Sequence, residues 1–248
     1  MIDVLAAAPN LANLSTFPAV LGRVDFARTV AELDRAFRAH GARSRPLPAG
    51  AGMDLLLAHR APSSAMATFV LESDRIERAV VSHVRIAPFV TGVSVLVHPN
   101  PAFEAPMLLA DFMVLPTGAS RLFADAAGPG LSDAAFGTRF REPLVHALGA
   151  REVIPVPAWL LPLSGGAGGR LRAPRGEAES LAHVLVSYVE AYLGGLDACD
   201  ATDDAEGNRR IARSVRDVVR AKGRASKYLG RAFGNVWADR YARVAWPE

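Results

Sequence analysis

The spacing of hydrophobic residues changes twice along the chain. From Val24 to His40 apolar residues recur every three or four positions, which predicts an amphipathic helix. From Met53 to Ala124 they form short alternating or continuous runs, separated by links that contain proline, glycine, asparagine or serine, and this pattern predicts an antiparallel meander of strands. The candidate strands are Asp54–His59, Ala65–Glu72, Arg78–Ala87, Gly92–His98, Met107–Leu115 and Ser120–Phe123.

The helical period returns in the second half of the chain. Predicted helices run from Ser132 to about Leu148 and from Glu177 to Leu196, and a basic helical region runs from Asn208 to Trp246. Between the first two helices, we expect an extended segment over Arg151–Leu163 and a loop over Ser164–Gly169. Helices that flank a meander predict the α+β class, with helices on one or both faces of an antiparallel sheet. We find no repeat or long linker, so a single domain over residues 1–248 is expected.

One candidate strand carries a carboxylate among apolar residues. Between Pro106 and Pro116 every residue is apolar except Asp111, which is typical of a strand buried on both faces. Strand alternation predicts that Asp111 faces the opposite side from Phe112. Because burial disfavours the charged form, we expect the pKa of Asp111 to be raised, and a carboxyl group that keeps its proton near neutral pH can act as an acid. The alternative is a structural aspartate at a bulge or in an ion pair.

Polar residues also interrupt the two preceding strands. In the predicted meander, Ser82, Ser94 and Asp111 lie on three neighbouring strands and could face one pocket. His83 is a candidate proton relay because the pKa of imidazole is near neutral, although alternation points it away from Ser82. The alternatives are serine hydroxyls bonded to the backbone and a histidine that faces solvent.

Composition narrows the class of protein. Half of the residues are hydrophobic and 21% are charged, which is typical of a globular rather than a disordered chain. Cys199 is the single cysteine and the histidines are scattered, so neither a disulfide framework nor a metal cluster is expected. We find no phosphate loop, dinucleotide fingerprint or nucleophile elbow. We find neither a signal-peptide pattern nor a membrane-length apolar run, so we expect a soluble cytoplasmic protein.

The net charge of +3 is unevenly distributed. Near the C terminus, basic residues recur every three or four positions and predict a positively charged stripe. Its members are Arg209, Arg213, Arg216, Arg220, Arg224, Lys227 and Arg231. Such a stripe suits an acidic protein or a ligand with carboxylates; nucleic acid suits it less well, because aromatic residues are few and no nucleic-acid-binding motif is present. The alternative is a solvated helix face without a partner.

Two blocks of sequence resemble the ferredoxin-dependent bilin reductases. The C-terminal block, Ser226 to Tyr241, contains Ala-Phe-Gly and then Trp-Ala-Asp-Arg-Tyr, and it is similar to the family's C-terminal signature. The central block contains His98-Pro-Asn-Pro101, Ala105-Pro106 and Ala110-Asp111, similar to the family's Phe-Pro-x-Pro, Leu-Pro and pocket aspartate. The order and spacing of the blocks agree with the family, whereas the first 60 residues match nothing specific.

The resemblance implies a three-layer α/β/α sandwich with a central antiparallel sheet. It also implies an oxidoreductase acting on CH–CH groups, which reduces a biliverdin-like linear tetrapyrrole (a bilin) held between the sheet and the C-terminal helices. Single electrons would come from an acidic iron–sulfur ferredoxin docked on the basic stripe, with no bound metal or organic cofactor. Since the family is mostly monomeric, we expect a monomer.

Individual residues follow from the same resemblance. Asp111 falls on the family's proton-donating aspartate, and His83 is the second candidate catalytic residue. Arg151 falls on an arginine that binds one propionate of the bilin, and Arg224 replaces a lysine at the other. Further candidate substrate-binding residues are Ser82, Ser94 and Lys227.

Three positions depart from the family pattern. Ser82 and Ser94 stand where the phycocyanobilin-forming members have a glutamate and a histidine, and Gly223 stands where many members have a second aspartate. A pocket with one acid can still carry out a single two-electron reduction. These departures leave two alternatives open, namely a bilin-binding protein without reductase activity and a reductase of an opened chlorophyll-type tetrapyrrole.

Overall fold

A seven-stranded antiparallel sheet forms the centre of the protein. The computed structural model describes residues 24–45, 64–86, 90–131, 135–222 and 225–246. Each strand pairs with the next one along the chain, as the predicted meander requires. The strands are β1 (Arg43–Ser44), β2 (Ser64–Glu72), β3 (Ile76–Ile86), β4 (Val90–Pro99), β5 (Met107–Val114), β6 (Ser120–Ala127) and β7 (Gly169–Ala173).

Six α-helices flank this sheet in the described part of the chain. They are α1 (Phe26–Ala39), α2 (Glu142–Leu148), α3 (Ala178–Asp197), α4 (Ala205–Lys222), α5 (Ala225–Phe233) and α6 (Asn235–Ala245). A π-helical turn, Gly137–Arg141, leads into α2. Among the described helices, none combines the length and apolarity that crossing a bilayer requires.

Most predicted elements are present, with four differences. The short edge strand β1 was not predicted. The predicted strand Asp54–His59 lies outside the described residues. The edge strand β7 follows the glycine-rich loop and was not predicted, although Leu171 alternates with two exposed arginines in a period of two. The basic C-terminal region is helical, as predicted, but it is divided into three helices, and Gly234, at φ 91°, makes the turn between the last two.

The helices cover both faces of the sheet and form separate cores with it. Helices α1, α2 and α3 pack against one face, which includes Leu108, Ala110 and Phe112 of β5. Helices α4, α5 and α6 pack against the other face, which includes Met107 and Leu109 of the same strand. The fold is therefore an α+β three-layer α/β/α sandwich, and β5 faces both layers because its side chains alternate.

Strand β5 is held at its start by a buried tyrosine of the first helical layer. The Tyr192 hydroxyl of α3 donates a hydrogen bond of 2.7 Å to the carbonyl oxygen of Pro106. Pro106 itself cannot donate to a neighbouring strand, so it marks the end of the ladder. This contact anchors the chain to α3 immediately before β5 begins.

Candidate ligand-binding site

A row of directly paired residues crosses the middle of the sheet. The row consists of Thr68, Ser82, Ser94, Asp111, Phe123 and Arg170, one residue from each of strands β2 to β7. Directly paired residues of antiparallel strands project to the same face. The polar groups predicted on three neighbouring strands therefore lie side by side, and they face helices α4 to α6.

A cavity of about 360 Å³ lies between this row and the C-terminal helices. Ser94, Leu109 and Asp111 are among the sheet residues that line it. Its walls include Trp159 from the segment before β7 and Tyr241 from α6. Small-molecule sites in proteins typically occupy about 300 to 1,000 Å³ and are mostly apolar with a few polar groups, which describes this cavity.

Asp111 is the carboxyl group of the cavity. Burial raises its pKa above the usual range, in the predicted direction, and a hydrogen bond from Ser94 opposes that shift. Among the residues that line the cavity in the described part of the chain, no other side chain carries a carboxyl group. The arrangement thus places a carboxyl group with a raised pKa beside a space large enough for a small ligand.

Three hydroxyl groups form a chain beside Asp111. The Thr68 and Ser82 oxygens lie 2.9 Å apart, and the Ser82 oxygen lies 3.1 Å from the Tyr241 hydroxyl oxygen. Burial raises the pKa of Tyr241 to about 12; the hydrogen bond with Ser82 lowers it and the charge of Asp111 raises it further. Tyr241 is thus a neutral phenol near neutral pH. Tyr241 ends the C-terminal block described above, but the sequence predicted no role for it.

Aromatic stacking holds the Tyr241 ring in place. The rings of Trp237 and Tyr241 are parallel to within 1°, with centroids 5.8 Å apart, and Phe233 packs on Trp237 at 4.5 Å. At the end of α6, the Nε2 atom of His98 donates to the carbonyl oxygen of Ala245 over 2.8 Å. Burial lowers the pKa of His98 to about 4, so this imidazole is neutral and serves to anchor the helix.

Two arginines from different elements line the cavity. Arg170 extends from the edge strand β7, and its Nε atom donates to the carbonyl oxygen of Pro155 over 3.0 Å. Arg220 extends from α4. Both are exposed residues, so their guanidinium groups can remain hydrated while binding a carboxylate. Arg170 was not predicted as a site residue, because strand β7, which carries it, was not predicted.

His83 does not share this site. It follows Ser82 on β3 and therefore points to the other face, where its ring stacks on Phe26 with centroids 5.1 Å apart. Within the described residues neither ring nitrogen has a hydrogen-bond partner, and burial lowers the pKa of His83 to about 4. A neutral imidazole beyond the sheet cannot relay protons to Asp111, so we correct the catalytic role predicted for His83.

The basic residues predicted to bind substrate are dispersed. Arg151 and Lys227 are exposed and do not line the cavity, and Arg224 lies outside the described residues. Of the predicted stripe, Arg209, Arg213, Arg216 and Arg220 lie on α4, whereas Lys227 and Arg231 belong to α5. The structure thus brings Ser82, Ser94 and Asp111 together but not Arg151 or Lys227. In the described residues, no group of three or more metal-ligating side chains occurs.

Comparison with known proteins supports the fold. No protein-family model and no curated protein matches the sequence. Among solved structures, the chain is similar to that of phytochromobilin synthase from tomato in complex with biliverdin, with a TM-score of 0.63 and 13% sequence identity. The likeness covers 90% of this chain and 84% of the tomato chain. At this level of identity, the likeness establishes the fold.

Proposed function

We propose that this protein binds a biliverdin-like linear tetrapyrrole in the cavity over Asp111 and reduces it with electrons from ferredoxin. The observation that carries this proposal is a carboxyl group, its pKa raised by burial, that faces a cavity between the sheet and the C-terminal helices. The tomato structure of the same fold holds biliverdin. The sequence blocks around Asp111 and Tyr241, which resemble the bilin reductases, both lie at this cavity.

The chemistry of a bilin fits the groups that surround the cavity. Its pyrrole rings offer apolar faces, which suit Trp159, Leu160 and Trp246. Its pyrrole nitrogens suit Asp111, and its two propionates suit Arg170 and Arg220 at the borders. In this proposal Arg170 and Arg220 take the propionate-binding roles predicted for Arg151 and Arg224. Arg170 and Arg220 line the cavity, whereas Arg151 does not and Arg224 lies outside the described residues.

Reduction of one carbon–carbon double bond consumes two electrons and two protons. We propose that two reduced ferredoxins each give one electron and are oxidised, and that no bound cofactor takes part. Asp111 gives one proton to the bilin and becomes a carboxylate, which solvent reprotonates; water supplies the second proton. The exposed arginines of α4 are the proposed docking surface for the acidic ferredoxin.

An anaerobic assay with biliverdin, ferredoxin and a reducing system tests this function. The wild-type protein is expected to shift the absorption of biliverdin on binding and again on reduction. Asp111→Asn is expected to retain binding but to turn over about 100-fold more slowly, because general acids contribute at least this much. Ser94→Ala is the matched control, since it removes the hydrogen bond to Asp111 but leaves the acid.

Two results would overturn the proposal. The absence of any spectral shift with biliverdin would exclude the ligand, and unchanged turnover in Asp111→Asn would remove this carboxyl group from the mechanism. Tight binding without ferredoxin-dependent product would instead favour a bilin-binding protein without reductase activity. The presence of a single carboxyl group among the described lining residues is the observation that favours that alternative.

A further inference from the structure

The hydroxyl chain of Thr68, Ser82 and Tyr241 ends in the cavity. Thr68 is 7% exposed and Ser82 is fully buried, so the sheet end of the chain is closed to a ligand. Tyr241 lines the cavity together with Ser94 and Asp111. Among the three hydroxyl residues, Tyr241 is therefore the one that a ligand in the cavity can contact.

The number of hydroxyl protons limits the hydrogen bonds that Tyr241 can donate. Three hydroxyl groups carry three protons, and the two hydrogen bonds that link them use two. Either oxygen of each pair can be the donor. When Thr68 donates to Ser82 and Ser82 donates to Tyr241, the Tyr241 proton remains available for a further acceptor. Each bond in such a chain polarises the next, so the remaining proton is a stronger donor than that of an isolated phenol.

We propose that Tyr241 donates a hydrogen bond to a carbonyl oxygen of the bound ligand and thereby sets its position over Asp111. In biliverdin this oxygen belongs to a terminal lactam ring. The inference rests on the proposed function, because it takes biliverdin as the ligand, but it assigns a different contact from the one made by Asp111. Two fixed polar contacts on one floor define the orientation of a long planar ligand where a single contact cannot.

The geometry favours a fixed donor over an adaptable one. The ring of Tyr241 is stacked on Trp237, and its oxygen is held by Ser82, so little rotational freedom remains to be lost on binding. Tyr228, on the neighbouring helix α5, is 52% exposed and does not line the cavity. The two tyrosines therefore form a matched pair for a test.

Titration of biliverdin into four proteins by absorption spectroscopy tests the inference. The proteins are the wild type, Tyr241→Phe, Ser82→Ala and the control Tyr228→Phe. We expect Tyr241→Phe to weaken binding about tenfold and to shift the absorption band of the bound pigment, because a hydrogen bond to its conjugated system is lost. Ser82→Ala should weaken binding less, and Tyr228→Phe should leave both the affinity and the spectrum unchanged.

A double variant separates a ligand contact from a structural role. If Ser82 acts through Tyr241, then Ser82→Ala in the Tyr241→Phe background should cause no further loss of affinity. Equal affinity and an identical bound spectrum for wild type and Tyr241→Phe would overturn the inference and leave the proposed function intact. Failure of the wild type to bind biliverdin would overturn both. Thermal unfolding shows whether each variant is folded. If Tyr241→Phe is not folded, the test is the absorption spectrum of biliverdin bound to Ser82→Ala, which should differ from that of wild type.

Discussion

The two faces of the central sheet are built from the same strands but differ in how they are filled. On the face covered by α1 to α3, the side chains of β5 are fully enclosed, with Leu108 and Val114 at 0% exposure and Phe112 at 1%. On the face covered by α4 to α6, the middle of the sheet carries polar residues, among them Ser94 and Asp111. A cavity separates these residues from the helices. Neighbouring residues such as Asp111 and Phe112 therefore have opposite surroundings.

This difference separates stability from chemistry within one sheet. The face covered by α1 to α3, here called the filled face, buries large side chains. They include Tyr188 and Tyr192 of α3, whose hydroxyl groups donate to backbone carbonyl oxygens. Burial of this kind stabilises the fold by about 25 cal/mol per Å² of apolar surface. The cavity face can then hold an acid and hydroxyl groups at its centre, because the other face supports the strands. The following predictions test this division.

The largest effect is expected from truncation on the filled face. Phe112→Ala should reduce the free energy of unfolding by about 3 to 5 kcal/mol, because it leaves a void in a closed core. Phe123→Ala, on the adjacent strand and the cavity face, is the matched control and should cost less, since Phe123 already borders the cavity. Denaturant unfolding measures both. Equal losses would show that the two faces are packed alike.

A second effect concerns acid stability and the filled face. The pKa of His83 falls from 6.5 to about 4 on folding, so the unfolded chain binds a proton more readily than the folded one over this interval. The stability linked to the titration of His83 is fully present above pH 6.5 and is lost as the pH falls towards 4. His83→Leu removes this titration. The free energy of unfolding of the variant, minus that of wild type, should therefore be about 3 kcal/mol larger at pH 4 than at pH 7.

Denaturant unfolding across this pH range measures the effect of His83→Leu. His146→Leu is the control, because His146 is exposed on α2. His98 carries a similar shift in both proteins, so the difference between variant and wild type is the informative quantity. A constant difference from pH 4 to pH 7 would contradict the burial of a neutral imidazole at position 83.

The smallest effect is expected at the border of the cavity. Arg170→Gln should weaken the binding of biliverdin about tenfold, because it removes a cation proposed to pair with a propionate. Arg121→Gln is the control: Arg121 is exposed on the same face of the neighbouring strand but does not line the cavity. The dimethyl ester of biliverdin lacks the carboxylates, so its affinity should not distinguish Arg170→Gln from wild type. An equal loss with the ester would contradict the ion pair.

Several features of the site could be predicted from the sequence because they depend on local pattern. Proline boundaries and an apolar run indicated a buried strand around Asp111, and the period of two indicated which residues share its face. The short links indicated a meander, from which the neighbouring positions of Ser82, Ser94 and Asp111 follow. Burial then raises the pKa of Asp111 wherever such a strand is enclosed.

Other features depended on contacts between distant parts of the chain. Ser82 and Tyr241 are 159 residues apart in sequence, and only the packing of α6 on β3 brings their oxygens together. Arg170 reaches the cavity because β7 joins the edge of the sheet next to β6. His83 lies on the other face from Ser82, as strand alternation predicts, and its contact with Phe26 depends on the packing of α1.

The sequence by itself determined the order of strands β2 to β6, the alternation of their side chains and the acid in mid-sheet, since all of these depend on residues close together in the chain. The tertiary structure alone decided that the space above Asp111 stays unfilled, and which side chains border it. The size of the cavity depends on how the C-terminal helices, which are distant in sequence, pack on the sheet. A local sequence pattern does not determine the separation between these helices and the strands.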